Sequence, residues 1–161
     1  MNQAGSVAHI HIAGSTGAPV RSVESIEAVA GRGLSGDRNH RQPGDTSPGR
    51  DLTLVEAENI EALARDHGIH LAAGETRRNV TTRGIRLNEL VGKEFWIGDV
   101  LARAVKLCEP CEYLQGLVGK PILKPLTHRA GIRADVLTNG TISVGDAIRV
   151  AEQALSAPGS Q

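Results

Sequence analysis

Short runs of alternating hydrophobic and polar residues recur along most of this chain and predict a protein built mainly of strands. Residues 7–13 alternate with period two, which sets Val7, His9 and His11 on one face and Ala8, Ile10 and Ile12 on the other. Strand-like runs follow at 25–29, 52–55, 78–82, 95–97, 100–107, 133–137, 141–144 and 147–150. One stretch has the helical period: Ile60, Leu63 and Ala64 share a face within residues 56–67. Acids fill its first turn, Arg65 and His67 its last, and Gly68 is positioned to stop it. Residues 87–92 predict a turn or a single helical turn, and 113–118 a second short helix. Residues 120–126 are broken by two prolines.

The punctuation between runs points the same way. Gly98-Asp99 predicts a tight connection, and Asn139-Gly140 between two apolar runs predicts a hairpin. Residues 96–101 and 143–148 echo one another as strand, Gly-Asp, strand. Residues 39–50 carry two prolines and two glycines and read as a long loop, the kind that tends to be functional. The fold class expected is mostly β (α+β): a closed or nearly closed barrel of short strands with a few peripheral helices. The 161 residues suit one domain, 1–161, with its core at about 5–150 and a flexible tail at 151–161.

Composition narrows the function. Net charge is zero, and Phe95, Trp96 and Tyr113 are the only aromatic residues. Neither a basic surface for nucleic acid nor a base-stacking platform is indicated. The first residues show no basic and apolar leader, and no apolar run approaches the length needed to span a bilayer. A cytoplasmic protein without nucleic-acid or membrane partners is expected.

The only two cysteines stand in Cys108-Glu109-Pro110-Cys111, where a strand gives way to a helix. Two thiols at this spacing serve a metal, a redox disulfide or a sulfur transfer. A zinc site needs further ligands, and no second Cys-x-x-Cys exists. A thioredoxin-like enzyme fits the strand–Cys-x-x-Cys–helix order but not the many strands around it. Pro110 suits a strand-to-helix transition, and the helix start would favour a thiolate at Cys111.

Four segments in order resemble a known pattern: residues 33–38 (Gly-Leu-Ser-Gly-Asp-Arg), 52–57 (Leu-Thr-Leu-Val-Glu-Ala), 76–84 (Thr-Arg-Arg-Asn-Val-Thr-Thr-Arg-Gly), and Ile97-Gly98-Asp99 followed by Cys108 to Cys111. Together with a closing 140–146, which fits the family's last hairpin, they are similar to the MOSC domain, the C-terminal domain of molybdenum-cofactor sulfurases, in its small stand-alone bacterial form. The resemblance spans about residues 5–150. It implies a β-barrel-like fold and a pterin-bound molybdenum (molybdopterin) held by one thiolate, matched in position by Cys111, with Cys108 auxiliary. It implies that Arg77 and Asn79 lie near the cofactor. No pyridoxal phosphate is expected, since the chain has no room for the sulfurases' separate domain.

Residue chemistry adds to this. Gly33 to Arg38 forms a turn whose glycines expose N–H groups, so Gly36, Asp37 and Arg38 are candidates to cradle the pterin phosphate. Alternation would put Arg77 and Asn79 on one strand face and Arg78 on the other; guanidinium binds phosphate bidentately and an amide suits a pterin edge. Lys120, Lys124 and Arg129 add positive charge after the cysteines. His9, His11, His67 and His70 read as surface or satisfied histidines, while His40 and His128 could approach a substrate. The resemblance implies a molybdenum-dependent oxidoreductase that reduces N-hydroxylated small molecules with electrons from a separate reductase. Two alternatives stand beside it: a sulfur carrier or transferase using a Cys111 persulfide from a cysteine desulfurase, and a non-catalytic cofactor carrier.

Overall fold

A computed structural model describes residues 4–40 and 48–151. The tail beyond Ala151 and most of the long loop predicted at 39–50 fall outside the described residues. In chain order the elements are β1 (Ala4–Ile12), β2 (Arg21–Val23), β3 (Ser25–Val29), β4 (Gly33–Leu34), β5 (Leu52–Glu56), α1 (Ala57–His67), β6 (Val80–Arg83), a 3-10 turn (Leu87–Leu90), β7 (Glu94–Ile97), β8 (Val100–Leu107), α2 (Glu112–Val118), β9 (Ile132–Val136), β10 (Gly140–Ser143) and β11 (Ala147–Val150).

Seven strands close into a barrel in the order β1-β11-β7-β8-β9-β5-β6 and back to β1, with β2 extending from β1. Neighbours are antiparallel except β5 and β6, which run parallel because α1 carries the chain between them, as a parallel pair requires a crossover. The ring leaves few unpaired edges. A second sheet, β10-β3-β4, is hydrogen-bonded separately and packs on the ring, with Ala28, Leu34 and Ile142 joining its core.

The interior is aliphatic: Ile10, Leu54, Val80, Ile97, Ile132 and Ile148 are fully buried, with Phe95 as the one aromatic ring among them. A smaller cluster sits outside the barrel. Leu63 of α1 and Leu114 of α2 meet Ile122, Leu126 and Ala130 from the turn-rich stretch between α2 and β9.

The helix read from period and caps is present, and Gly68 ends it in the left-handed region at φ 66°, its N–H donating to the Ala64 carbonyl while the Ile69 N–H donates to that of Leu63. The Gly98-Asp99 connection joins β7 to β8 with Ile97 opposite Val100.

Three expectations change. In β1 the register slips between Val7 and His9; the extra residue reverses the parity, so Val7, Ile10 and Ile12 all enter the barrel core. The Asn139-Gly140 pair does not make a hairpin. β9 stays between β5 and β8, whereas β10 pairs with β3, and Asn139 Oδ1 accepts the Ala30 N–H. The strand expected from residue 78 starts at Val80, because Arg77 adopts a left-handed backbone at φ 61°. The face assignment by alternation therefore does not apply to Arg77, Arg78 and Asn79.

Candidate functional site

β8 delivers the chain to Cys108 at the barrel's end. The Cys108 N–H donates to Gly131 O at 2.8 Å, and its side chain is 3% exposed. Gly131 must be glycine here: its φ is 108°, and a Cβ would stand 1.9 Å from Leu54 O. Glu109 and Pro110 then turn the chain outward to Cys111, which is exposed. Cys111 is the N-cap of α2, extended at φ −137°, with Sγ accepting the Leu114 N–H at 3.4 Å and its carbonyl accepting the Gln115 N–H. The two thiols are free. They are not equivalent: Cys108 is packed in, while Cys111 faces solvent at a helix start.

Arg78 braces this turn from within. Its Nε donates to Ala130 O at 2.8 Å, its Nη2 to Cys108 O at 3.1 Å and Glu109 O at 3.3 Å, and its Nη1 to Thr76 O at 3.5 Å. Burial lowers the Arg78 pKa, and nearby Cys108 and Cys111 act against that shift. On the outer side, the Glu109 carboxylate accepts the His128 N–H at 2.7 Å and pairs with His128 Nδ1. The His128 N–H bond is the main reason the Glu109 carboxyl lies below its usual pKa. His128 itself is held at φ 63°, with its carbonyl accepting Asn88 Nδ2.

The predicted phosphate turn is present and close to Arg77. Asp37 is buried, its Oδ1 accepting the Ala13 N–H and its Oδ2 the Asn39 N–H. The carboxylate thus fixes the turn rather than facing out as a ligand. Gly36 takes φ 84°, and a Cβ on it would stand 3.8 Å from Arg21 Nη2. Arg38 Nη2 donates to Arg77 O at 3.5 Å, and its Nη1 lies 3.7 Å from Asp37 Oδ1. Arg38 Nη1 and Arg77 Nη2 are buried atoms with no hydrogen-bond partner. Burial lowers the Arg77 pKa and Arg38 lowers it further, against a small opposing pull from Tyr113 and Asp37. Like charges brought together with donors unfilled leave a place for an anion.

Asn79 is structural in its main contacts. Its Oδ1 accepts the Thr53 N–H at 2.9 Å and its Nδ2 donates to His11 O at 3.2 Å, lacing β1 to β5. Arg77 also borders a cavity of about 310 Å³ shared with Val20, Gly74, Leu117 and Val118, near the lower size of ligand sites. Cys111 and Arg77 thus lie on or beside the same short helix, α2. Asn79 is tied into the barrel beneath them.

Sequence reasoning passed over Arg78 and the Glu109–His128 pair. The one available signal was Arg78's place beside Arg77; nothing local distinguishes a buried arginine from a solvated one. His11 is buried, not at the surface, with Nδ1 lacking a hydrogen-bond partner. Among the described residues, no group of three or more His, Cys, Asp or Glu side chains could hold a metal ion. No helix among the described residues is long and apolar enough to cross a membrane.

A family model, described as MOSC domain, matches residues 40–149. Among solved structures the chain is similar to YuaD from Bacillus subtilis, at 16% identity and TM-score 0.80, covering 95% of this chain and 99% of that one. It is also similar to YiiM from Geobacillus stearothermophilus (15% identity, TM-score 0.73, covering 94% and 77%) and to YiiM from Escherichia coli (18%, 0.66, covering 95% and 71%). At these identities the likeness concerns the fold. No curated protein sequence matches the chain.

Proposed function

Because the chain belongs to the MOSC domain family, whose members are associated with the molybdenum cofactor, we propose that it binds that cofactor and reduces N-hydroxylated compounds. The observation that carries this reading is an exposed thiol at Cys111 together with two guanidinium groups, Arg38 and Arg77, each with one buried nitrogen that lacks a hydrogen-bond partner. A soft thiolate suits molybdenum, and unfilled guanidinium donors suit a phosphate. The donor set therefore fits the group.

In this reading Cys111 holds the metal, while Arg38 and Arg77 hold the pterin phosphate. Gly36 and Asp37 shape the turn that presents Arg38, and Asn79 keeps β1 and β5 in place below it. When bound, the cofactor supplies two-electron chemistry. In the overall reaction the N–O bond of the substrate breaks, two electrons come from a separate reductase, two protons are taken up, and amine and water leave. The protein's own part is to orient: α2 fixes Cys111 through the Leu114 N–H, and Arg78 fixes the carbonyls that precede it.

The test is molybdenum content by elemental analysis, with pterin fluorescence, on protein from a cofactor-competent host. Wild type is expected near one metal per chain, Cys111→Ala near background, and Arg38→Gln with Arg77→Gln strongly depleted in pterin. Stoichiometric metal in Cys111→Ala would refute the ligand assignment. The exposed Cys111 also supports sulfur transfer as a second reading. Metal-free wild type that gains sulfur on Cys111 from a cysteine desulfurase would favour it, and cofactor binding without turnover would favour a carrier.

A further inference from the structure

Behind the cysteine turn lies a cation that the proposed reaction does not use. Arg78 is only 8% exposed, and a guanidinium so buried is costly unless both its donors and its charge are met. Four carbonyls, those of Thr76, Cys108, Glu109 and Ala130, meet the donors. The charge is met differently. Among the described residues that act on it, Cys108 and Cys111 favour the cation while Arg133 and Arg38 oppose it, and no carboxylate is among them. Glu109, the acid nearest in the cysteine turn, directs its carboxylate to His128.

A carbonyl-only shell holds geometry but leaves net positive charge, and that charge sits against the Cys108 and Glu109 carbonyls, in the turn that carries both cysteines. The shell also joins three distant segments: 76–79, 108–109 and 130. A lysine could supply the charge but not a planar fork that reaches several acceptors at once.

We propose that Arg78 is the positioning residue of Cys111: it pins the 108–109 carbonyls so that Cys111 opens α2, and it sets a positive field at that sulfur that draws anionic reactants. The inference rests on Cys111 as the reacting thiol.

Alkylation of the full-length chain without added cofactor tests it, because the reagents need no molybdenum and the result is independent of metal retention. In each reaction the Cys111 sulfur forms a C–S bond, the C–I bond breaks, iodide leaves and the thiol proton goes to buffer. Neutral iodoacetamide and anionic iodoacetate are compared peptide by peptide. Arg78→Met is expected to lower the iodoacetate-to-iodoacetamide rate ratio at Cys111 by about threefold to tenfold, the scale of losing one nearby charge. Arg78→Lys should hold that ratio within about twofold while opening the buried Cys108 to both reagents, since one ammonium cannot replace the fork. An unchanged ratio in Arg78→Met overturns the field. A still-protected Cys108 in Arg78→Lys overturns the pinning, and if Arg78→Met fails to fold an unchanged ratio in Arg78→Gln overturns the field.

Discussion

The barrel and the α2 cluster solve the burial problem in opposite ways. In the barrel every strand of the ring is paired on both sides, and its aliphatic side chains are almost wholly excluded from water. The α2 cluster has five buried residues drawn from two helices and a turn-rich stretch, with Ile69, Leu71 and Val118 half-buried around them. A seven-residue helix has little stability of its own and depends on that packing. Tyr113 and Leu117 on the same helix remain exposed. The candidate thiol is thus carried on the less stable piece and anchored to the more stable one. Arg78 and Gly131 are where the two pieces join.

The largest effects should come from the junction and the barrel. Gly131→Ala places a Cβ against Leu54 O in a backbone region that L residues avoid, so a loss of at least about 4 kcal/mol or failure to fold is expected. Phe95→Ala should cost about 3–5 kcal/mol in chemical denaturation. Leu114→Ala should cost less, on the order of 2 kcal/mol, and act locally. Hydrogen exchange would show faster amides in α2 and in residues 119–130, with β7 and β8 still protected. Equal loosening of both regions would show that the cluster and the barrel are one cooperative unit, and the comparison would fail.

The sequence was most legible where one element's own period decided its structure. Val100–Leu107 and the helix ending at Gly68 emerge nearly at their predicted bounds, because alternation and caps are local properties. Legibility failed where another segment had the deciding role. The bulge in β1 answers to β6, the Asn139-Gly140 turn answers to β3, and β2 and β4 are too short to show a period. The candidate site divides the same way. Cys111 could be singled out through the family resemblance together with its place at an expected helix start, and the turn ending at Arg38 through its glycines. Arg78 could not, because its burial exists only once residues 76, 108, 109 and 130 meet.

His11 sharpens the boundary between the two regions, as a buried titratable group in a barrel strand with Gly74 packed on its ring. Burial, and secondarily His9, lowers its pKa from 6.5. A depressed folded pKa means that the unfolded chain binds the proton more readily. The contribution to stability is therefore complete above pH 6.5 and is lost as pH falls through the lowered value. Thermal midpoints of wild type should fall across that window more steeply than those of His11→Gln. Parallel curves would remove His11 from the acid response.

The smallest effect tests whether charge also ties the outer helix to the barrel. Arg83 of β6 pairs with Glu61 of α1, both exposed, and Arg83 holds the Glu61 carboxyl below its usual pKa. A lowered carboxyl pKa would favour the fold above the ordinary value of 4.5 and lose that favour as pH falls. At an exposed pair, however, water and salt screen the interaction, and ordering two long side chains offsets it. Glu61→Gln should therefore leave the thermal midpoint unchanged within about 1 °C in ordinary buffer. A clear drop, abolished by salt, would show that α1 is held by charge as well as by Leu63. The α2 cluster, which shares Leu63, would then rest partly on an electrostatic contact outside its apolar core.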